Sequence, residues 1–299
     1  MGFSIRSTKR PPRSPPHPPP DLVDKKADLH LHTTFSDGTL SPAELVQQAV
    51  DAGLAVIAVT DHDCVDGVAP ARAAAAGRIE VLSGVEMTVA FRGVELHVLG
   101  LLIDIESPAI TERLTQFRRA RTHRLQDMID RLKTYDVTVT LEEVLALSDH
   151  GAPGRPHLAR ALVQRGFVKT PEEAFDRFLG DQAPCFVKGA TMTPAGAAAL
   201  IRDAGGISSL AHPARFVPDE WLPELLAAGI QGIEAYHPDH SAATAKRYQQ
   251  YAEQHGLLVT GGSDAHGTWK AHGPAVGSVT VPYAYVERLK AAAGESRGA

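Results

Sequence analysis

The sequence predicts an α/β protein in which repeated β-α units form a barrel or a parallel sheet, interrupted by a helical insertion. Two observations carry this expectation. From Ala27 onward, short β-branched or Leu-rich runs alternate with Ala-rich helical stretches. Between Ser107 and Lys188 the alternation stops and amphipathic helical patterns follow one another, until it resumes after Thr193. A chain of 299 residues with 43% hydrophobic content is long enough to bury a substantial core, as one large domain or one domain with an insertion.

In chain order, residues 1–26 are expected to be a disordered leader. Its prolines, dense from Pro11 to Pro20, remove backbone donors and favour extended conformations, and no apolar core of a secretory signal follows the first basic residues. Strands are expected at 27–32, 56–60, 79–85, 95–101, 206–211, 232–236 and 257–260, with a further short run at 276–279. The first helix is framed by Ser41 as its cap, Pro42 in its first turn, Glu44 completing a Ser-x-x-Glu capping box, and Gly53 as its stop. Inside the insertion, 110–133, 141–147, 156–164 and 171–178 read as helices, and Pro194 opens another that ends near Gly205 and Gly206. The expected organisation is a barrel of 27–106 and 189–285, a helical cap of 107–188 and a tail of 286–299.

The formal charge of −5 argues against a general polyanion-binding surface, so long duplex nucleic acid is a poor partner, while a local basic pocket for phosphate remains compatible. Two cysteines, Cys64 and Cys185, cannot build a disulfide scaffold, which points to a reducing cytoplasm. Apolar runs are broken by charged or glycine residues well short of a bilayer span, so no membrane association is expected.

The chemistry concentrates in recurring polar clusters. In Asp28-Leu29-His30-Leu31-His32 the two histidines are two apart on a strand and share one face. Ser36-Asp37-Gly38 follows, then Asp61-His62-Asp63 after the strand ending at Thr60, and Glu86 after the strand ending at Val85. His97 lies on the next strand, His212-Pro213 closes the strand ending at Ala211, and Ser263-Asp264-Ala265-His266 follows Thr260. A single His-x-His pair reads equally as two half-buried sheet histidines. Histidines and carboxylates repeatedly placed near strand C-termini, where β/α barrels build their sites, instead imply one shared metal centre.

These motifs (His30-Leu-His32, Thr60-Asp-His62, Gly84-Val-Glu86, Ala211-His-Pro213 and Ser263-Asp-Ala-His266) resemble those of the PHP (polymerase and histidinol phosphatase) family in order and spacing, from Ala27 to about Val281. The resemblance implies a distorted (β/α)7 PHP barrel with an inserted helical cap and two or three divalent metal ions, Mn2+ favoured over Fe2+ or Zn2+. It assigns His30, His32, Glu86 and Asp264 to one ion, Glu86, His97 and His212 to a second, and Asp37, His62 and His266 to a third. Many family members carry a histidine where this chain has Asp37. The Asp form resembles the subgroup acting on nucleoside bisphosphates and short RNA.

The implied function is hydrolysis of a nucleoside 3',5'-bisphosphate, and of short single-stranded RNA from its 5' end, through metal-activated hydroxide. Asp61, His237 and His240 are candidates for proton transfer, each equally able to orient a ligand or cap a loop. Arg155 and His157, in an Arg-Pro-His pattern shared with that subgroup, are candidates for holding a second phosphate, followed by Arg121 and Arg124, which otherwise read as a solvated helix face. The competing readings are a histidinol-phosphate-type phosphatase, which a carboxylate-lined pocket would favour, and a non-catalytic phosphate-binding module, which missing ligands would betray. Partners are limited to the small phosphorylated substrate, with no obligate protein partner.

Overall fold

The computed structural model describes residues 25–148, 151–267 and 273–298, so residues 1–24 of the expected leader lie outside the described residues. Eight strands form one sheet: β1 (Lys26–Leu31), β2 (Val56–Val59), β3 (Glu80–Phe91), β4 (Val94–Leu101), β5 (Ile207–Leu210), β6 (Gly232–Tyr236), β7 (Leu258–Gly261) and β8 (Val281–Pro282). The first seven are neighbours in chain order, and β8 pairs antiparallel with the start of β1. The end of β7 curls back onto β1: Asp264 N donates to His30 O at 2.9 Å, and His32 N donates to Ala265 O at 3.1 Å. The barrel is thereby nearly closed, and the residues after β7 arrive beside those ending β1.

Closure requires close approach. A Cβ on Gly262 would collide with the His30 backbone nitrogen, so the absent side chain is what lets the two segments meet. Buried Asp28 locks the seam, accepting from Ser263 N (2.9 Å), Ser263 Oγ (2.6 Å) and Gly277 N (3.0 Å). Burial pushes its carboxyl up to about 6, against these hydrogen bonds.

Besides the antiparallel β8, the sheet departs from parallel order at β4. β4 runs antiparallel to both β3 and β5, whereas β1–β2–β3 and β5–β6–β7 are parallel. β3 and β4 form a hairpin whose two turn residues, Arg92 and Gly93, have φ of +50° and +85°, the primed turn that matches strand twist. β3 therefore does not end at Val85 but continues to Phe91, and Glu86 sits inside it opposite Leu99. The expected run at 276–279 is not a strand; the last strand is β8.

Helix α1 (Pro42–Asp51) has the expected capping box: Ser41 N donates to Glu44 Oε2 at 2.8 Å, and Glu44 N to Ser41 Oγ at 3.3 Å. Gly53, with φ +70°, follows its end. After α2 (Val68–Ala75) and the hairpin comes the insertion, with α3 (Pro108–Leu132), α4 (Leu141–Leu145), α5 (Arg155–Gln164) and α6 (Pro171–Ala174), the last continuing as a wider π-helical turn over Phe175–Leu179. α3 joins two cores. Ile110, Leu114 and Phe117 pack with the barrel, whereas Leu125, Met128 and Leu132 pack with Leu158, Leu162 and Phe178 of the insertion. The chain returns through α7 (Pro194–Asp203), α8 (Leu222–Ala227), α9 (Ala242–His255) and α10 (Tyr283–Gly298). Residues 286–298, expected as a tail, belong to α10, which buries Val286, Leu289 and Ala293 against the sheet. Among the described residues no helix is long and apolar enough to cross a membrane.

Candidate metal centre

The end of β1, the middle of β3 and β4, and the segments after β2, β5 and β7 bring all nine expected ligands together. His30 Nε2 and His32 Nε2 each lie 3.2 Å from Glu86 Oε2 and 3.3 and 3.2 Å, respectively, from Asp264 Oδ1. The other oxygen of Glu86, Oε1, faces His97 Nδ1 at 2.9 Å and His212 Nε2 at 3.0 Å. Asp37 Oδ1 is 3.2 Å from His266 Nε2, and its Oδ2 is 3.8 Å from His62 Nε2. Because His62 also turns Nδ1 toward Glu86 Oε2 at 3.2 Å, the set around Asp37 and the set around Glu86 share it as a neighbour.

These side chains fit divalent cations. His30 Nε2, His32 Nε2, His62 Nδ1, Glu86 Oε2 and Asp37 Oδ1 are buried and have no hydrogen-bond partner, although nitrogens and oxygens converge to about 3 Å. Converging lone pairs held this way call for a positive charge between them. The charge balance agrees: burial opposes ionisation of Glu86, yet the imidazoles of His62, His97 and His30 hold its carboxyl well below the usual range. Burial likewise disfavours protonated His32, but the nearby carboxylates of Asp264 and Glu86 draw its pKa up to about 10. Cations would supply the charge that protons on such imidazoles otherwise provide. Burial, helped by the neighbouring His32 and His97, pulls His62 the other way, to about 3, leaving it a neutral donor.

Neighbouring groups aim the ligands. Glu234 Oε1 accepts from His30 Nδ1 at 3.1 Å, turning the Nε2 lone pair into the cluster, and Glu234 Oε2 accepts from His212 N at 2.6 Å. His266 Nδ1 donates to Asp264 O at 2.8 Å, so its Nε2 faces Asp37 as a lone pair. His212 and Asp264 both adopt positive φ, +29° and +51°, conformations unfavourable for residues with a Cβ.

The expected proton-transfer residues fall behind the ligands. Asp61 is fully buried and accepts from Thr33 N, Thr33 Oγ1 and Ser36 Oγ at 2.6–2.7 Å, so it anchors the loop carrying Asp37 and presents no free oxygen to a substrate. His237 Nδ1 accepts from Asp239 N at 3.0 Å, which puts its proton on Nε2, 3.3 Å from Asp264 Oδ2. His240 lies further back, its Nδ1 donating to Ala235 O and its ring centroid 5.4 Å from that of His237.

The candidate phosphate-binding residues divide. His157 is drawn into the start of α5: its Nδ1 accepts from Gly154 N at 3.0 Å, its ring is fully buried, and burial lowers its pKa to about 4. It caps a helix where a substrate contact was expected. Arg121 donates to Asp63 Oδ2 through Nε (2.9 Å) and Nη2 (2.5 Å), and to Thr88 Oγ1 at 3.0 Å. Arg121, Arg124 and Arg155 nevertheless border one chamber with Asp37, His62 and His97. Two contributors were not legible in the sequence: Arg215, within 3.4 Å of Asp264 Oδ2, and Asp63 as the anchor of Arg121. Asp63 belongs to the Asp61-His62-Asp63 motif but shows no sign there of an arginine partner, and Arg215 does not stand out from ordinary surface charge in a single sequence.

A family model described as the PHP domain matches residues 28–173. The chain is 36% identical to the 3',5'-nucleoside bisphosphate phosphatase of Chromobacterium violaceum, over 80% of this chain and 86% of that protein. It is 35% identical to the 5'-3' exoribonuclease of Haemophilus influenzae, over 82% of this chain and 91% of that protein. The crystal structure of a metal-dependent phosphoesterase from Bifidobacterium adolescentis superposes with a TM-score of 0.83 at 32% identity, covering 90% of this chain and 96% of that one.

Proposed function

The chain belongs to the PHP family of metal-dependent phosphoesterases, and from that premise we propose that this phosphoric ester hydrolase cleaves nucleoside 3',5'-bisphosphates and removes nucleotides from the 5' end of short RNA. The observation that carries the substrate is the chamber beside the ligand cluster, where Arg121, Arg124 and Arg155 stand with Glu95 and Asp37. Arg124 donates through Nε to Val187 O at 2.6 Å, but its Nη2 is buried without a hydrogen-bond partner. Burial, together with the charges of Arg155 and Arg121, lowers its pKa to about 10. A buried donor crowded by other cations suits an anion held there, and a second phosphate on the substrate is such an anion.

When bound, the divalent ions supply Lewis-acid polarisation of the phosphoryl group and an acidified water. The protein's own groups do the rest. His30, His32, Glu86 and Asp264 would hold one ion, Glu86, His97 and His212 a second, and Asp37, His62 and His266 a third. His237 and Arg215 bind Asp264 Oδ2, which keeps Oδ1 toward His30 and His32. Arg124 and Arg155 position the phosphate that is not cleaved. Carboxylates such as Asp37 widen a histidine-rich donor set toward Mn2+, the ion we propose, while the same mixed donors accept Fe2+ and Zn2+. Both cysteines are free thiols, which suits the cytoplasm as the place of action.

The test is phosphate release from adenosine 3',5'-bisphosphate and mononucleotide release from 5'-phosphorylated short RNA, with histidinol phosphate as the comparison, after loading with Mn2+, Fe2+ or Zn2+. Turnover of the first two is expected. Turnover of histidinol phosphate alone would overturn the substrate assignment.

A further inference from the structure

Two adjoining chambers overlie the ligand cluster and differ in charge. Three arginines, Arg121, Arg124 and Arg155, line the first and outnumber its two carboxylates, Glu95 and Asp37. The second, a cavity of about 380 Å3, shares Asp37, His62, His97, Pro156 and Phe175 with it but is walled by Pro171, Glu172 and Asp176. Arg215, which also borders the second chamber, is engaged by Asp239 at 2.7 Å and by Asp264. A phosphate is therefore repelled from the Glu172 and Asp176 side and drawn to the arginines, while an uncharged flat group suits the second chamber.

Phe175 stands on the boundary. Thr170 caps α6, accepting from Glu173 N at 3.2 Å, and the helix then widens so that Gly180 N donates to Phe175 O at 2.8 Å. Widened turns of this kind take side chains off regular helical spacing and recur at functional sites. The Arg155 guanidinium lies over the Phe175 ring at 5.7 Å and over the Phe186 ring at 5.3 Å, with Asp181 holding its Nη1 at 2.6 Å. Phe175 is thus braced by a cation that is itself fixed, and it is half-buried at the cavity wall.

We propose that Phe175 is a specificity-determining stacking platform for the nucleobase, with Pro156 and Pro171 completing an apolar slot and the uncleaved phosphate lying among the arginines. Aromatic side chains stack on any base through its π face, which confers preference for a nucleotide over a bare sugar phosphate. This inference rests on the nucleotide reading above.

The experiment compares adenosine 3',5'-bisphosphate with ribose 3,5-bisphosphate, which lacks the base, in Mn2+-loaded parent protein, Phe175→Leu and Phe175→Trp. Calorimetric titration with adenosine 5'-monophosphate and ribose 5-phosphate gives binding without turnover. In Phe175→Leu, kcat/KM for the nucleotide and affinity for the monophosphate fall about tenfold or more, the base-less compounds change less than about twofold, and Phe175→Trp keeps the preference. Equal losses on both substrates, no loss on the nucleotide, or a parent protein without preference between them would each overturn the platform. A parent protein that cleaves neither substrate contradicts the proposed function itself.

Discussion

Glu86 is the residue on which two ligand sets meet, since Oε2 faces His30 and His32 while Oε1 faces His97 and His212. Glu86→Gln keeps the shape but replaces one oxygen by an amide nitrogen that cannot ligate, so one set is broken. Activity is expected to fall by about a hundredfold or more in a phosphate-release assay. Glu234 touches no substrate, yet it sets the His30 tautomer, and Glu234→Ala should weaken metal affinity about 10- to 100-fold in a chelator competition, with the circular dichroism spectrum retained. His157 makes the opposite prediction. Its pKa is lowered by burial, so between pH 6.5 and about 4 the unfolded chain takes up a proton that the folded chain refuses, and stability falls as pH falls through that window. His157→Asn should flatten this part of the stability-versus-pH curve relative to the parent, measured by denaturant unfolding. A curve of unchanged slope would contradict the burial argument. At this scale the convergence of the nine candidate ligands was legible because their side-chain chemistry recurs with family spacing. Glu234, Asp63 and Arg215 were less so, because a residue that acts through another has no chemical signature of its own in one sequence.

Among the elements, strands and helices were legible where burial leaves an apolar run or a cap leaves a polar one. The capping box at Ser41 and Glu44 is the clear case. Strand direction was not. β3 is buried on both faces for nine consecutive residues, Val81–Val89, so it shows no period-two alternation, and a polar Glu86 within it reads as an end. The hairpin that reverses β4 turns on Arg92-Gly93 rather than on the Asn-Gly pair that would announce it. Gly93→Ala places a Cβ at φ +85° and is expected to destabilise the protein by about 1 kcal/mol, read as a lowered Tm in a thermal scan of the metal-loaded protein.

For the whole molecule, the consequence of near closure is that distant parts of the chain form one centre: the ends of β1 and β7 meet through the Asp28 seam, and the insertion carries the arginines over the same opening. The barrel and the insertion were legible as alternation and its interruption; that the last helix covers the sheet was not, because its Ala-rich sequence resembles a tail. The central claim is that Glu86 joins ligand sets that hold divalent ions. Metal content measured by inductively coupled plasma mass spectrometry, on Mn2+-loaded and desalted protein, tests it most directly. The parent should retain roughly two to three ions per chain and Glu86→Gln at least one fewer; a parent retaining none, or a variant matching it, would contradict the account.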